Sequence, residues 1–224
     1  MPAPITVIIP TLNAEHSLTG CLTALMEGVD AGLIRELIVS DGGSDDATRI
    51  VAEAWGAEII EGAASRGGQL RRGCAKAKGD WLLVLHADTQ LDQGWTAPVA
   101  AHLKGQKAGW FQLRFDSGGF APRFVAGWAN LRSRFGLPYG DQGLLVPRAL
   151  YQSLGGYPDH PLMEDVAMAR LLKGQMTGID CAAITSAAKY HKAGWLRRGG
   201  RNLWTLIRYF AGVSPQKLAK TYAK

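Results

Sequence analysis

The sequence predicts an α/β protein, a mostly parallel central sheet flanked by helices, with a helical C-terminal tail. Three observations carry this. Apolar runs at Ile5–Pro10, Leu37–Val39 and Leu82–Leu85 alternate with helical periodicities through the first hundred residues. Each run ends in a polar or acidic tip, where sheets of this class carry their ligands. The segment from Cys181 to Lys224 holds nine Lys/Arg and no Asp or Glu, setting the tail apart.

Taken in order, Ile5–Pro10 reads as a buried strand and Glu15–Val29 as a helix. Glu36–Ser40 is the next strand. Asp45–Trp55 follows as a helix with Ala47, Ile50, Val51 and Ala54 at core spacing. Ala57–Ile60, Gln69–Lys78 and Trp81–Leu85 continue as strand, helix and strand. The alternation argues for parallel strands joined by helical crossovers. Further on, Trp110–Phe115 and Gly143–Pro147 read as strands around an aromatic-rich segment, Phe120–Phe135. Met163–Leu172 reads as a helix with Glu164 and Asp165 in its first turn. Ile184–Tyr190 reads as a final strand and Asn202–Phe210 as an amphipathic helix. Ser214-Pro215 has the N-cap and first-turn pattern of one more.

The 224 residues suit one compact domain: a catalytic body over 1–200, with a nucleotide half (1–90) and an acceptor half (91–200). Residues 201–224 form a basic helical tail, packed on the body or lying at a membrane surface. Net charge is +6, yet residues before Cys181 carry 16 basic against 19 acidic side chains, a net of −3. The excess positive charge therefore sits in the tail, which suits phosphates or an anionic membrane face. Nucleic acid is not expected, because Trp195, Trp204, Tyr209 and Phe210 recur at helical spacing, as core residues do. Cys21, Cys74 and Cys181 show neither a disulfide framework nor a zinc spacing and read as free, buried thiols. With no signal-peptide pattern or membrane span, the expected location is the cytoplasm, with peripheral contact at the inner membrane face.

Four tips carry candidate chemistry. Asp41-Gly42-Gly43-Ser44-Asp45-Asp46 follows a strand; its glycines let a ligand approach the backbone, and Asp41 can accept from a base or ribose. A plain capped turn explains the same residues. His86-Ala87-Asp88 puts a carboxylate at the tip of a buried strand, suiting Mg²⁺ or Mn²⁺, or else a helix cap. Glu164-Asp165 at a helix N-terminus offers a general base, or carboxylates that only complement the helix dipole. Arg66, in Ser65-Arg-Gly-Gly-Gln-Leu-Arg-Arg72, can clamp a phosphate, and His191 can add a metal ligand. No GxGxxG motif and no P-loop is present, which excludes those nucleotide-binding classes.

Val7-Ile-Ile-Pro-Thr-Leu-Asn13, Asp41-Gly-Gly-Ser-Asp-Asp46, Gly79-Asp-Trp-Leu-Leu-Val-Leu-His-Ala-Asp-Thr89, Gly140-Asp-Gln-Gly143 and Met163-Glu-Asp165 occur in an order and spacing that resemble the family 2 glycosyltransferases of the GT-A fold. Within these the chain most resembles the short bacterial selenodomain- or radical-SAM-associated (arsenosugar-biosynthesis-type) subgroup. The resemblance implies an inverting, metal-dependent (Mn²⁺ or Mg²⁺) transfer from a UDP- or GDP-linked sugar to an acceptor hydroxyl. Pro10, Thr11, Asn13, Glu15, Asp41, Gly42, Gly43, Arg66, His86 and Ala87 would bind the nucleotide. His86-Ala87-Asp88 replaces the usual Asp-x-Asp, leaving Asp88 the principal metal ligand with His191 as a further one. Asp141 and Gln142 would face sugar or acceptor, and Asp165, beside Glu164, would be the base. The Gln-x-x-Arg-Trp motif of processive synthases is absent, so a single addition is expected. The alternatives are a weak or inactive nucleotide-sugar-binding protein, suggested by His86, and a nucleotidyltransferase-like enzyme.

Overall fold

A computed structural model describes residues 3–222; Lys224 of the basic tail lies outside them. Eight strands form one sheet in the order β3-β2-β1-β4-β7-β6-β8-β5. They are β1 (Ile5–Thr11), β2 (Ile34–Asp41), β3 (Glu58–Glu61), β4 (Trp81–Val84), β5 (Thr89–Leu91), β6 (Ala108–Phe115), β7 (Leu144–Pro147) and β8 (Met176–Thr185). The first four pair in parallel, as do β6 and β8. β7 is the antiparallel seam between β4 and β6, and β5 closes the far edge antiparallel to β8.

The parallel half is buried on both faces. Val7, Ile9, Val39, Leu83 and Leu85 point toward helix α1 (Glu15–Asp30), where Leu18 and Leu22 meet them. Ile8, Ile38, Leu82 and Val84 point the other way, onto Leu70 and Cys74 of α3 (Arg66–Lys76). Alternate side chains thus feed two separate cores, which is why these strands read as unbroken apolar runs. Register then sets the site: β1 and β2 pair so that Thr11 lies opposite Asp41, at the carboxyl ends of both strands. Cys21, Cys74 and Cys181 are free thiols, the first two buried and the third half-buried.

Helix α2 is shorter than expected, Thr48–Ala54. The Asp46 carboxylate accepts from the Thr48 amide at 2.9 Å and also from the Thr48 hydroxyl, fixing the start there. Its buried side is Thr48 and Ala52; Ala54 and Ile50, the latter 70% exposed, face solvent.

The remaining helices are α4 (Thr96–His102), α5 (Phe120–Arg134), α6 (Arg148–Ser153), α7 (Glu164–Leu171), α8 (Ala188–Ala193), α9 (Trp195–Phe210) and α10 (Pro215–Tyr222). The aromatic-rich segment is α5. Two expectations are corrected. The final strand ends at Thr185, and Ser186 and Asp116 accept from the Ala188 and Ala187 amides to turn the chain into α8. Helix α9 starts at Trp195, the Gly199-Gly200 pair having masked its first turns by low helix propensity. Trp204 and Phe210 on α9 are exposed rather than core, whereas Leu206 and Leu218 pack on Met163 and Val166 of the body.

Candidate active site

Two cavities, of about 530 and 520 Å³, open beside the carboxyl ends of β1 and β4. They share a wall made of Arg66, His86, Asp88, Pro161, Ser186 and Lys189. The first adds Tyr139, Asp141, Asp165, Tyr190, Arg198, Asn202 and Tyr222; the second adds Pro10, Thr11, Asn13, Gln69 and Ala87.

The second cavity collects six of the residues expected at a nucleotide: Pro10, Thr11, Asn13, Arg66, His86 and Ala87. Four others lie outside its lining. Asp41 is fully buried. Its carboxylate accepts from the Thr11 hydroxyl (2.8 Å), the Ser44 hydroxyl (2.5 Å) and the amides of Gly43 (2.9 Å) and Ser44 (2.7 Å). Burial alone would raise its pKa; those hydrogen bonds, led by Ser44, outweigh burial and hold it below the usual carboxylate range. Asp41, with Gly42 and Gly43, therefore organises the turn that follows β2. Glu15 accepts from the Ala47 amide at 2.8 Å and ties α1 to the same turn. Buried Gln69 donates to Thr11 O (2.7 Å) and Ser40 O (2.9 Å), bridging the two strand tips.

At the shared wall, Lys189 Nζ donates to Asp88 Oδ2 at 2.9 Å. Burial would raise the Asp88 pKa, but the neighbouring cations Lys189 and Arg66 help to outweigh it and hold the group below the usual carboxylate range. Burial, reinforced by Arg66, pushes His86 down to about 4 against the pull of Asp88, so the imidazole is neutral at physiological pH. Gly140 backs this ring closely: a Cβ there would stand 2.5 Å from His86 Nε2.

His191 is not brought to Asp88. It lines neither cavity, its Nε2 lies 3.1 Å from Ser117 Oγ, and its ring packs edge-on against Trp195. Among the described residues no three His, Cys, Asp or Glu side chains converge as a ready-made metal cage. The donors that fit an ion at the shared wall are Asp88, which already holds a cation, and neutral His86. Further ligands would come from phosphate oxygens and water.

Asp165 faces the first cavity from the first turn of α7. Oδ2 accepts from the Gly140 amide at 2.8 Å and Oδ1 from the Val166 amide at 2.7 Å. The residue before the helix, Met163, sits in the left-handed region (φ 66) and turns the chain into α7. Glu164 points inward instead. It is 1% exposed, with Arg66 Nε 3.6 Å away and no hydrogen-bond partner for either carboxyl oxygen among the described residues. Burial and neighbouring Asp165 push its pKa up to about 8, Arg66 notwithstanding. Asp141 lines the first cavity, with burial raising its pKa to about 6 against the pull of Arg132. Gln142, expected beside it at the sugar, is fully buried: Oε1 accepts from the Ser133 hydroxyl (2.6 Å), and Nε2 donates to Phe111 O (3.1 Å) and Asn130 Oδ1 (3.2 Å).

Tyr139, Asn202 and Tyr222 escaped the sequence reading. Tyr139 carries the Arg132 guanidinium over its ring, 3.1 Å from the centroid. Its place just before Gly140-Asp-Gln was the available signal. Asn202 and Tyr222 reach the cavity only because α9 and α10 fold back, for which no local signal exists.

The glycosyl transferase family 2 model matches residues 6–142. A PGL/p-HBAD biosynthesis glycosyltransferase of Mycobacterium bovis is 36% identical over 112 residues, 46% of this chain and 43% of that protein. Glucosyl-3-phosphoglycerate synthase of Mycobacterium tuberculosis is 33% identical over 93 residues, 38% of this chain and 28% of that one. The matched region thus spans less than half of these curated relatives. Among solved structures, the M. tuberculosis glucosyl-3-phosphoglycerate synthase in complex with Mn²⁺, UDP and glucosyl-3-phosphoglycerate superimposes with a TM-score of 0.57 at 23% identity, over 90% of this chain and 78% of that one. S. aureus TarS 1-349 in complex with UDP-GlcNAc gives a TM-score of 0.63 at 15% identity, over 82% and 58%. The sheet with its flanking helices is the fold of these enzymes, and the chain belongs to glycosyl transferase family 2.

Proposed function

We propose that this protein transfers a single sugar, with inversion, from a UDP- or GDP-linked donor to an acceptor hydroxyl. The observation that carries the reading is the division of the site. Asp88, His86, Arg66 and Lys189 line both cavities, whereas Asp165 lines only the first. A diphosphate at the shared wall would have its nucleoside in the second cavity and its sugar at the mouth of the first.

Asp165 then stands on the acceptor side as base. It takes the proton of the acceptor hydroxyl while that oxygen bonds to the anomeric carbon and the carbon–oxygen bond to the diphosphate breaks. One displacement inverts the configuration. Glu164, held neutral by burial, adds no second negative charge beside Asp165. Arg66 and Lys189 offset the charge arriving on the diphosphate. A Mn²⁺ or Mg²⁺ ion on Asp88 and His86 would supply further neutralisation of that leaving group. Tyr190, Arg198 and Tyr222, on the wall of that cavity, would shape the acceptor subsite.

The Lys189–Asp88 pair favours a second reading, a nucleotide-sugar binder whose metal position is filled by the ammonium. Calorimetric titration with UDP, GDP and their sugar conjugates, with and without Mn²⁺, separates the two when repeated on Asp88→Ala. Metal-enhanced binding that Asp88→Ala abolishes supports the transferase. Binding indifferent to metal, without release of nucleoside diphosphate, supports the binder, and no binding at all sinks both.

A further inference from the structure

We propose that helices α5 and α9 together form a docking surface for an anionic phospholipid bilayer. Phe120, Phe124, Trp128 and Leu131 of α5, with Phe135 that caps it, follow one another at intervals of three or four residues, so they share one helical face, and all are exposed. The opposite face (Pro122, Ala126, Ala129, Ser133) is the buried one, packed with Phe115 and Trp195. On α9, Leu196, Leu203, Trp204, Ile207 and Phe210 are likewise exposed on one side, while Thr205 and Leu206 are buried. The outermost members, Phe120 at 84% exposure and Leu196 at 88%, are bare even for surface residues. The two helices touch one another, so the apolar faces belong to neighbouring elements of one region. Two such faces exceed the scattered apolar residues of an ordinary surface and mark a contact site.

Charge identifies the partner. Helices α5, α8, α9 and α10 contain no Asp or Glu. Arg123, Arg134, Lys192, Arg197, Lys217 and Lys220 are exposed on these helices. A symmetric dimer through this region would set the cationic rim against itself. Anionic headgroups neutralise the rim while Trp128 and Trp204, amphipathic rings suited to the headgroup depth, enter the interface beside the phenylalanines. No helix among the described residues is long and apolar enough to cross a membrane, so this is attachment in the plane of the surface. Helix α9 also supplies Arg198 and Asn202 to the wall of the first cavity, which docking would bring to the headgroup layer.

Co-sedimentation of the full chain with vesicles of phosphatidylcholine alone, and with roughly a third phosphatidylserine, tests this without nucleotide or turnover. Its failure would therefore leave the transferase reading untouched. Binding to the anionic vesicles only is expected, weakened roughly tenfold or more by Phe124→Gln with Trp204→Gln, and also by Arg134→Glu with Arg197→Glu. Far-UV circular dichroism confirms that each pair folds; Phe120→Ser, at the exposed start of α5, supplies a readout independent of the core. Wild-type protein that stays in the supernatant overturns the proposal. So does a dimer in analytical ultracentrifugation that the Phe124/Trp204 pair dissolves, which would assign the face to a second copy.

Discussion

Lys189 Nζ stands 2.9 Å from Asp88 Oδ2, so the carboxylate at the tip of β4 is already neutralised before any ligand arrives. The lysine side chain is 63% exposed, and such a pair is worth at most about 1 kcal/mol. A divalent ion can therefore displace the ammonium. Lys189→Ala should tighten Mn²⁺ binding by up to about fivefold and weaken nucleoside diphosphate binding in EDTA by roughly tenfold, since a charge-assisted hydrogen bond is lost. Calorimetry in the two buffers reads both effects, and a parallel loss in both would remove Lys189 from the site.

Asp165→Asn keeps the hydrogen bond from Gly140 but removes the proton acceptor. The kcat should fall about a hundred- to ten-thousand-fold while the donor Kd stays within about twofold. Glu164→Gln should retain most activity, because the native side chain is already protonated at neutral pH. Steady-state kinetics beside donor binding distinguishes the two; loss of turnover in Glu164→Gln alone would move the base to Glu164.

Glu164 also carries a stability signature. Its folded pKa of about 8 lies above the ordinary glutamate value of 4.5, so the folded state holds the extra proton. That contribution is fully present below pH 4.5 and is lost as pH rises toward 8. Asp141 adds the same sign over a lower window, from 3.8 to about 6. Glu164→Gln should flatten the decline between pH 4.5 and 8, raising Tm at pH 8 by several degrees, at roughly 2–4 °C per kcal/mol for a chain of this size. Tm should differ little near pH 5. Thermal melts across pH 5–8 check this, and parallel curves for wild type and variant would refute it.

Gln142→Ala should behave as a core lesion. It strands Ser133, Asn130 and the Phe111 carbonyl, at a cost of about 1–3 kcal/mol. A Tm loss with unchanged donor Kd is the expected pattern.

The nucleotide half was legible because strands buried on both faces leave unbroken apolar runs, and its helices carry one clear stripe. The acceptor half was not. β8 exposes Thr177, Gly178 and Asp180, so it lacks the apolar pattern of a strand. α5 turns its aromatic side outward, inverting the usual rule. In the site, Asp88 and Asp165 could be picked out as carboxylates at element tips. Asp41 and Gln142 could not be placed from the sequence for one reason: a polar residue satisfied inside the protein has the same letter as one waiting for a ligand. The Asp45–Trp55 helix misplaced its start because Asp46 caps it from within the expected span.

Met163 holds a conformation that costs an ordinary residue on the order of 1 kcal/mol or more, one position before the two carboxylates of α7. Replacement by asparagine or glycine would relax that backbone and let the first turn settle elsewhere, while a β-branched residue would fight it harder. Met163 is also buried against Leu206 and Leu218, and losing such a side chain costs about 2–5 kcal/mol, more than the strain would return, so heat-resistant versions of this protein should keep Met163 and answer its strain elsewhere.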